Sequence, residues 1–193
     1  MSSRDLILQK IKQNKPALSP LPSLPVFERN DVDLVSHFME IVKFVGGQAI
    51  ALASIGALED EIKKIYHDMK LIAGNMPLSI INTDISKIDD PHDLKDIDLV
   101  VLKGELGVAE NGAVWIPATA IFHRALPFIT QHMVFVVEKS ALVWNMHQAY
   151  QKIHTTQSGG YGVFISGPSK TADIEQSLVI GAHGSRSLTV FLV

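Results

Sequence analysis

Residues 98–117 read DLVVLKGELGVAENGAVWIP and indicate two kinds of β-structure within one short stretch. The run DLVVL is continuously apolar after its first residue, which is typical of a strand buried on both faces of a parallel sheet. The following residues contain Asn-Gly, the strongest short signal for a tight hairpin turn, because both residues tolerate positive φ. The stretch therefore predicts a parallel strand followed by an antiparallel hairpin that turns at residues 110–112.

The same alternation extends in both directions along the chain. Further apolar runs predict strands at 48–53, 78–81, 133–137, 161–165 and 188–193. Apolar residues at helical spacing predict helices at 4–14, 31–45, 58–69, 141–152 and 173–180, with a loop or short helix at 124–130. Strands that alternate with helices predict an α/β fold with a mainly parallel sheet covered on both faces.

The N-terminal part of the chain has a different composition. Its segment PALSPLPSLP holds four of the nine prolines, and proline fixes φ and removes a backbone donor, so this segment is expected to be extended. We expect residues 1–30 to form a helix and a Pro-rich arm, and residues 31–193 to form a single α/β domain. An extended arm can reach a neighbouring subunit, so the sequence is compatible with a homo-oligomer.

Charge and hydropathy narrow the classes of partner. The net charge of −3 gives no electrostatic reason to expect a nucleic-acid partner. No apolar run approaches the roughly 20 residues that a membrane-spanning helix needs. The first residues, MSSRDLILQKIKQNK, are charged and lack the apolar core of a signal peptide. We therefore predict a cytoplasmic protein.

The chain contains no cysteine. This excludes a disulfide, a thiolate nucleophile and a Cys-ligated zinc or iron–sulfur cluster in this chain. The histidines show no paired spacing of metal ligands, so no metal site is predicted. A redox role would need an organic cofactor, whose identity the sequence does not indicate, or a partner protein that carries the metal.

The polar loop SGPSKT lies between a predicted strand and a predicted helix. The free N–H groups and the dipole at a helix N-terminus favour an anion, Lys170 adds a positive charge, and three side chains add hydroxyls. The candidate ligand-binding residues of this loop are Ser166, Gly167, Ser169, Lys170 and Thr171. The alternative is a plain strand-to-helix junction, in which Thr171 caps the helix.

The turn of the predicted hairpin is a second candidate. Glu110 lies beside Asn111 and Gly112, near a strand end, where a carboxylate can act as a nucleophile or a general base. Asn111 and Gly112 are candidate ligand-binding neighbours. The alternative is an exposed carboxylate beside a turn.

Two further positions carry side chains that could meet a ligand. His183 and Gly184 belong to a Gly-Ala-His-Gly segment, in which the histidine reaches a ligand or caps the preceding helix. Arg124 can bind a carboxylate through two parallel hydrogen bonds, or it can be a surface ion-pair residue.

The segments AENGAVWIP, HRALPFITQHMVFVVEKSALV and FISGPSKTADIEQSLVIGAHGSRSLTVFLV together resemble the LUD domain family, of the lactate utilization protein C type. The resemblance implies a Rossmann-like three-layer α/β sandwich, similar to the sugar-phosphate isomerase and CoA-transferase group, with a mainly parallel sheet and an antiparallel edge or hairpin. It also implies an accessory role in L-lactate oxidation, together with iron–sulfur partner proteins that carry the clusters this chain lacks.

The same resemblance leaves other functions open. Class I CoA transferases use the glutamate of a Ser-Glu-Asn-Gly motif as the acyl-accepting nucleophile, and Glu110-Asn111-Gly112 matches three of its positions, while Ala109 replaces the serine. A stand-alone enzyme acting on an acyl-CoA or a sugar phosphate, with Glu110 as nucleophile or base, is therefore an alternative. A regulatory module that binds a small anionic metabolite without turnover is another.

Overall fold

The computed structural model describes residues 2–23, 25, 27, 31–156, 161–172, 178–181 and 183–193. Five α-helices are formed by these residues: α1 Ser3–Gln13, α2 Leu34–Phe44, α3 Leu58–Ile65, α4 Leu126–Ile129 and α5 Met146–Thr156. The first strands along the chain are β1 Gln48–Ala51, β2 Ile72–Gly74, β3 Leu99–Lys103, β4 Leu106–Val108, β5 Ala113–Pro117 and β6 His132–Val137. They are followed by β7 Leu142–Val143, β8 Gly162–Ile165, β9 Lys170–Ala172, β10 Leu178–Ile180 and β11 Ser187–Leu192.

A parallel sheet of five strands forms the centre, in the order β1-β11-β6-β3-β2. Side chains alternate between its two faces, and each face has its own apolar cluster. Phe135 of β6 points into one cluster, with Val100 and Val190 from the neighbouring strands. Val134, Val101 and Phe191 point into the other, which α3 covers through Leu58 and Ile62. Burial on both faces explains why these strands are continuous apolar runs.

A second sheet covers the face of the parallel sheet that carries Phe135. Its order is β7-β4-β5-β8, and the pairs β4–β5 and β5–β8 are antiparallel. Val114 and Ile116 of β5 pack into the cluster of that face, whereas Trp115 points outward into a third cluster that contains Ala149 of α5. The predicted α/β fold with a mainly parallel sheet and an antiparallel hairpin is confirmed. The hairpin is part of a four-stranded sheet that forms a layer of its own.

Helix α2 shows how local chemistry sets the limits of an element. It begins after Asp33, whose carboxylate accepts hydrogen bonds from the Val35 N–H at 3.1 Å and the Ser36 hydroxyl at 2.6 Å. These bonds lower the pKa of Asp33, the Ser36 hydroxyl most of all, and a carboxylate there also complements the helix dipole. The helix ends before Gly46, which takes the left-handed conformation at φ +88°.

Two predicted elements are wrong in position. Residues 78–81 are not a strand but a turn, and the edge strand is Ile72–Gly74, which pairs with β3 from Leu99 to Val101. The apolar run at 78–81 packs against the sheet from outside, with Leu78, Ile80 and Ile81 touching the α3-side cluster. The helix predicted at 141–152 starts only at Met146, because Leu142–Val143 pairs with β4 as strand β7.

The helix predicted at 173–180 is also wrong where the structure describes it. Leu178–Ile180 is a strand, β10, that pairs with β9 in an antiparallel ladder running from Leu178 opposite Ala172 to Ile180 opposite Lys170. Residues 173–177 lie outside the described residues. Thr171 therefore belongs to a strand and caps no helix.

Candidate functional site

A cleft of about 240 Å³ opens where the polar loop after β8 meets the segment before β11. Apolar side chains from α4 and β6 form part of its wall, and serine and glycine residues from the two loops complete it. It is lined by Pro127, Phe128, Met133, Phe164, Ile165, Ser166, Gly167, Pro168, Ser169, His183, Gly184 and Ser185. Six of these twelve residues were predicted site residues or stand between them in the chain, so the structure joins the SGPSKT loop to the His183-Gly184 segment.

Backbone hydrogen bonds hold the two loops together. The Ser169 N–H donates to the Ser185 carbonyl at 2.9 Å, and the Gly181 N–H donates to the Ser169 carbonyl at the same distance. A Cβ on Gly184 would lie 2.9 Å from Cβ of Ser169, closer than real side chains approach. Glycine at 184 thus permits the contact between the two walls of the cleft.

Gly167 fixes the other side of the loop. Its φ of +72° is left-handed, and a Cβ there would lie 2.6 Å from the Val45 carbonyl oxygen, at the end of α2. The loop is therefore pressed against the backbone that joins α2 to β1. Only glycine meets both conditions without a shift of one of the two segments.

Polar groups are available at the mouth and at the base of the cleft. Ser166 is exposed, and its hydroxyl donates to the Asn111 carbonyl at 2.7 Å. Ser169 is half-buried, Ser185 is buried at 2% exposure, and His183 is exposed. The hydroxyl groups of Ser166 at the mouth and of Ser169 and Ser185 deeper in the cleft can donate hydrogen bonds to the oxygen atoms of a small polar ligand.

Lys170 and Thr171 follow this loop in strand β9 and do not line the cleft itself. The Lys170 side chain runs past Gly46, where its Nζ would be 3.6 Å from an added Cβ, and the residue is exposed. Thr171 lies in strand β9 and therefore does not cap a helix, and the helix N-terminus predicted after it falls on residues 173–177, outside the described residues. The positive charge of Lys170 beside the loop is what the described residues offer an anion.

The residues of the hairpin turn between β4 and β5 make hydrogen bonds that stabilise the turn and the start of α5. Asn111 Oδ1 accepts from the Ala113 N–H at 3.0 Å, and Gly112 has φ +68° and donates its N–H to the Val108 carbonyl at 2.9 Å. Glu110 is exposed, and its Oε2 accepts from the Met146 N–H at 3.0 Å, at the first residue of α5. The Ser166–Asn111 hydrogen bond ties this turn to the SGPSKT loop.

Arg124 lies apart from the other candidates. Its guanidinium stacks over the ring of Tyr161, 4.4 Å from the ring centroid, in the cation–π geometry. Tyr161 immediately precedes β8, whereas Ser166 follows it, and Arg124 does not line the cleft.

The cleft lies at the amino ends of the parallel strands, because Met133 is the second residue of β6 and Ser185 precedes β11. Ligands of open parallel α/β sheets usually bind at the carboxyl ends of the strands. The SGPSKT loop follows β8, which pairs antiparallel with β5 in the second sheet and is not a strand of the parallel sheet.

Sequence reasoning missed a polar cluster on the other face of the same sheet end, which we call the Tyr66 network (Tyr66, His132, Ser187 and Thr189). The Tyr66 hydroxyl lies 2.9 Å from Thr189 Oγ1 and 3.4 Å from Ser187 Oγ, and His132 Nδ1 lies 2.7 Å from Ser187 Oγ. Ser187 and His132 stand directly opposite each other in the ladder between β11 and β6. Only this register brings them together, so no local pattern signals the cluster.

The Tyr66 network makes the stability of the fold depend on pH. Burial lowers the pKa of His132, the positive charge of Arg186 lowers it further, and Asp98 opposes both. The unfolded chain, in which histidine has a pKa of about 6.5, then binds the proton first. Stability is therefore complete above about pH 6.5 and is lost as the pH falls through the lower pKa of folded His132.

We expect the free energy of unfolding to fall less between about pH 7 and pH 5 in His132→Gln than in the wild type, because the variant loses this proton uptake. Urea unfolding at both pH values measures the difference. His67→Gln is the matched control, because that side chain is 71% exposed. If His132→Gln loses as much stability on acidification as the wild type, His132 does not carry the dependence.

Among the described residues, no group of three or more His, Asp or Glu side chains could hold a metal ion. None of the helices they form is both long and apolar enough to cross a bilayer.

Comparisons with known proteins agree with the architecture. A family model described as LUD domain matches residues 50–193. Lactate utilization protein C of Geobacillus sp. (strain WCH70) is 27% identical over 202 residues, covering 99% of this chain and 79% of the relative. Lactate utilization protein C 1 of Bacillus mycoides (strain KBAB4) is 32% identical over 103 residues, covering 51% of this chain and 44% of the relative. The crystal structure of a DUF162 family protein from Deinococcus radiodurans has a TM-score of 0.67 at 18% identity and covers 83% of this chain and 96% of that chain, so the two share the fold.

Proposed function

Because the chain belongs to the LUD domain family, we propose that it is an accessory subunit of lactate utilization that acts with iron–sulfur partner proteins in the oxidation of L-lactate to pyruvate. The similarity to lactate utilization protein C of Geobacillus over 99% of the chain carries this proposal. The chain has no cysteine, so it offers no thiolate for a cluster, and the electrons must pass through its partners.

Growth on L-lactate as sole carbon source tests this role. We expect deletion of the gene to abolish or strongly slow growth, and the restored wild-type gene to rescue it, while growth on glucose stays normal. A tagged chain at native expression level should then co-purify with iron–sulfur proteins from lactate-grown cells. Normal growth of the deletion strain on L-lactate would contradict the proposal.

We further propose that the cleft beside Ser166 and Ser169 binds a small anionic metabolite. Its volume of about 240 Å³ is below the roughly 300–1,000 Å³ of sites for drug-sized ligands, which favours a compound of a few heavy atoms. The hydroxyls of Ser169 and Ser185 can donate to carboxylate oxygens. Lys170, next in the chain, is exposed and adds a positive charge beside the cleft without lining it.

Lys170→Ala is expected to weaken the binding of L-lactate or pyruvate about two- to fivefold, because an exposed charge beside the cleft that does not line it contributes about 0.2–1 kcal/mol. Calorimetric titration of the purified chain measures the affinity. Lys87→Ala is the control, since Lys87 is an exposed lysine paired with Asp84 outside the cleft. Lactamide, which keeps the shape but not the charge of lactate, should bind equally to wild type and Lys170→Ala. Equal affinity of both proteins for lactate would exclude Lys170 from the site.

One observation favours a second function, catalysis by Glu110. This exposed carboxylate stands in a turn that the Ser166 hydroxyl ties to the candidate loop. In an enzyme acting on an acyl-CoA or a sugar phosphate, Glu110 would be the nucleophile or the base. Its hydrogen bond from the Met146 N–H supports the simpler role of holding the start of α5.

Glu110→Gln separates the two roles, because the amide oxygen can still accept the Met146 N–H while the carboxylate is lost. A structural role predicts unchanged unfolding in Glu110→Gln and a loss of about 1 kcal/mol in Glu110→Ala, as for other residues at helix starts. A catalytic role predicts a glutamyl thioester that hydroxylamine traps in the wild type and not in Glu110→Gln. Binding of a ligand without any turnover would leave the regulatory module as the second function.

A further inference from the structure

The N-terminal helix α1 is well formed but buries nothing. Ser2 and Asp5 make a complete capping box, in which the Ser2 Oγ accepts from the Asp5 N–H and the Asp5 carboxylate accepts from the Ser2 N–H at 3.0 Å. None of the helix residues is buried, and Ile7, Leu8 and Ile11 are 58%, 43% and 53% exposed. These three side chains lie on one side of the helix, because residues three and four apart are neighbours. A short helix of this kind is marginal without a packing partner.

The Pro-rich arm separates this helix from the domain along the chain. Phe27 is fixed to the domain by its ring contact with His147 at 5.3 Å and by the Asn145 side chain, which donates to its carbonyl at 2.9 Å. Residues 15–23 are all exposed, and the prolines in the arm favour an extended, semi-rigid chain with a rise of about 3.1 Å per residue. A stiff spacer disfavours folding back and presents α1 to another molecule.

The charges of the arm and the domain are opposite. Residues 1–30 contain five basic and two acidic residues, whereas residues 31–193 contain twelve basic and eighteen acidic ones. In α1 itself, Lys10 and Lys12 flank the side that carries Ile7 and Ile11. The apolar side of α1 and its two lysines fit an apolar groove that has acidic residues at its edge. The domain of the same protein has a net negative charge, opposite to that of the arm.

Among the described residues, a groove with both apolar and acidic side chains lies at the β2 edge of the parallel sheet. We call it the edge groove; it has a volume of about 320 Å³ and is lined by Gly74, Ile81, Asn82, Thr83, Asp84 and Phe122, together with Ile85. Phe122 is 64% exposed, and Asp84, which lines the groove, pairs with Lys87 at 2.9 Å. Segment 84–98, which starts at the groove, contains six aspartates and two lysines and has a net negative charge. A groove beside α2 is lined by both Glu40 and Lys43, and another beside α5 is lined by Lys152, so a lysine stands at each of them.

We infer that α1 of one copy docks in the edge groove of a second copy, and that two arms exchanged in this way form a symmetric dimer. Ile7, Leu8 and Ile11 bury their exposed surface against Phe122 and Ile81. Lys10 and Lys12 face the aspartates that follow Asp84. The exchange is isologous, because each copy contributes one helix and one groove.

Two variants and their mixture test the exchange. The arm variant Ile7→Asp/Ile11→Asp and the groove variant Phe122→Glu change only exposed side chains, so both domains should keep the wild-type circular dichroism. Light scattering behind size exclusion should show a wild-type dimer, and each variant alone should dissociate at least about tenfold more readily, the scale of a lost interface anchor. The mixture should recover a heterodimer, because the intact helix of the groove variant fits the intact groove of the arm variant.

Each other result contradicts the exchange. A wild-type monomer at every concentration would mean that α1 folds back or binds a different protein. A dimer that persists in both variants would mean another interface. Two monomeric variants that fail to combine would show that helix and groove do not meet.

Discussion

Replacing Phe135 by alanine is expected to lower the free energy of unfolding by about 3–5 kcal/mol, the range found for removal of a buried aromatic ring. Phe135 is fully buried in β6, the middle strand of the parallel sheet, opposite Leu102 on β3 and Val190 on β11. Its ring belongs to the cluster between the parallel sheet and the second sheet. Strands on both sides fix its backbone, so the walls cannot collapse into the space left by the ring.

Urea unfolding followed by circular dichroism measures the loss, and Phe44→Ala is the matched control. Phe44 ends α2 with 85% of its surface exposed, so its replacement should change stability by no more than about 0.5 kcal/mol. A loss of less than about 1.5 kcal/mol in Phe135→Ala would mean that the two sheets close around the cavity. The contact between the sheets would then be softer than the structure indicates.

The central strands could be predicted because nearly all of their residues are apolar, which indicates burial on both faces. DLVVL and MVFVV have apolar side chains at consecutive positions, and only a strand covered on both faces buries all of them. The same logic failed at residues 78–81, where Leu78, Ile80 and Ile81 are apolar for a different reason: they pack onto the sheet from a turn. A short apolar run indicates that its residues are buried, but it does not distinguish a strand from another element that packs onto the sheet.

The antiparallel pairing of β9 with β10 could not be predicted from the residues of the two strands. ADIEQSLVI has helix formers at its centre, while Val179 and Ile180 are β-branched and favour a strand. What decides is the antiparallel ladder with Lys170–Ala172, which lies six to ten residues earlier in the chain. Thr171 belongs to this ladder, so it does not cap a helix as the sequence suggested.

The candidate cleft was half predictable for the same reason. The serine and glycine residues of the loop indicate a turn in which backbone and hydroxyl groups are accessible. Its other wall comes from Pro127, Phe128 and Met133, which look like ordinary core residues. They reach the cleft only because α4 and the amino end of β6 lie beside the loop, and that is a property of the assembled sheets.

The conformation of this loop depends on Gly167, and Gly167→Ala is expected to destabilise the chain by about 2–5 kcal/mol. The left-handed backbone at φ +72° costs an alanine about 1–2 kcal/mol. The added Cβ would also lie 2.6 Å from the Val45 carbonyl oxygen, and relief of such a contact by backbone movement costs about 1–3 kcal/mol. The loop must move away from α2, which displaces Ser166 and Ser169 together.

The variant should therefore lose binding of a small anion as well as stability, and the two losses can be separated. Gly56→Ala is the control, because the nearest atom to its added Cβ is Ser54 Oγ at an ordinary 3.7 Å, and it should stay within about 0.5 kcal/mol of the wild type. Titration with L-lactate well below the unfolding midpoint of Gly167→Ala reports on folded protein alone. Weakened binding there ties the cleft to the loop conformation, whereas wild-type binding would mean that the anion site does not need Ser166 and Ser169 where the structure places them.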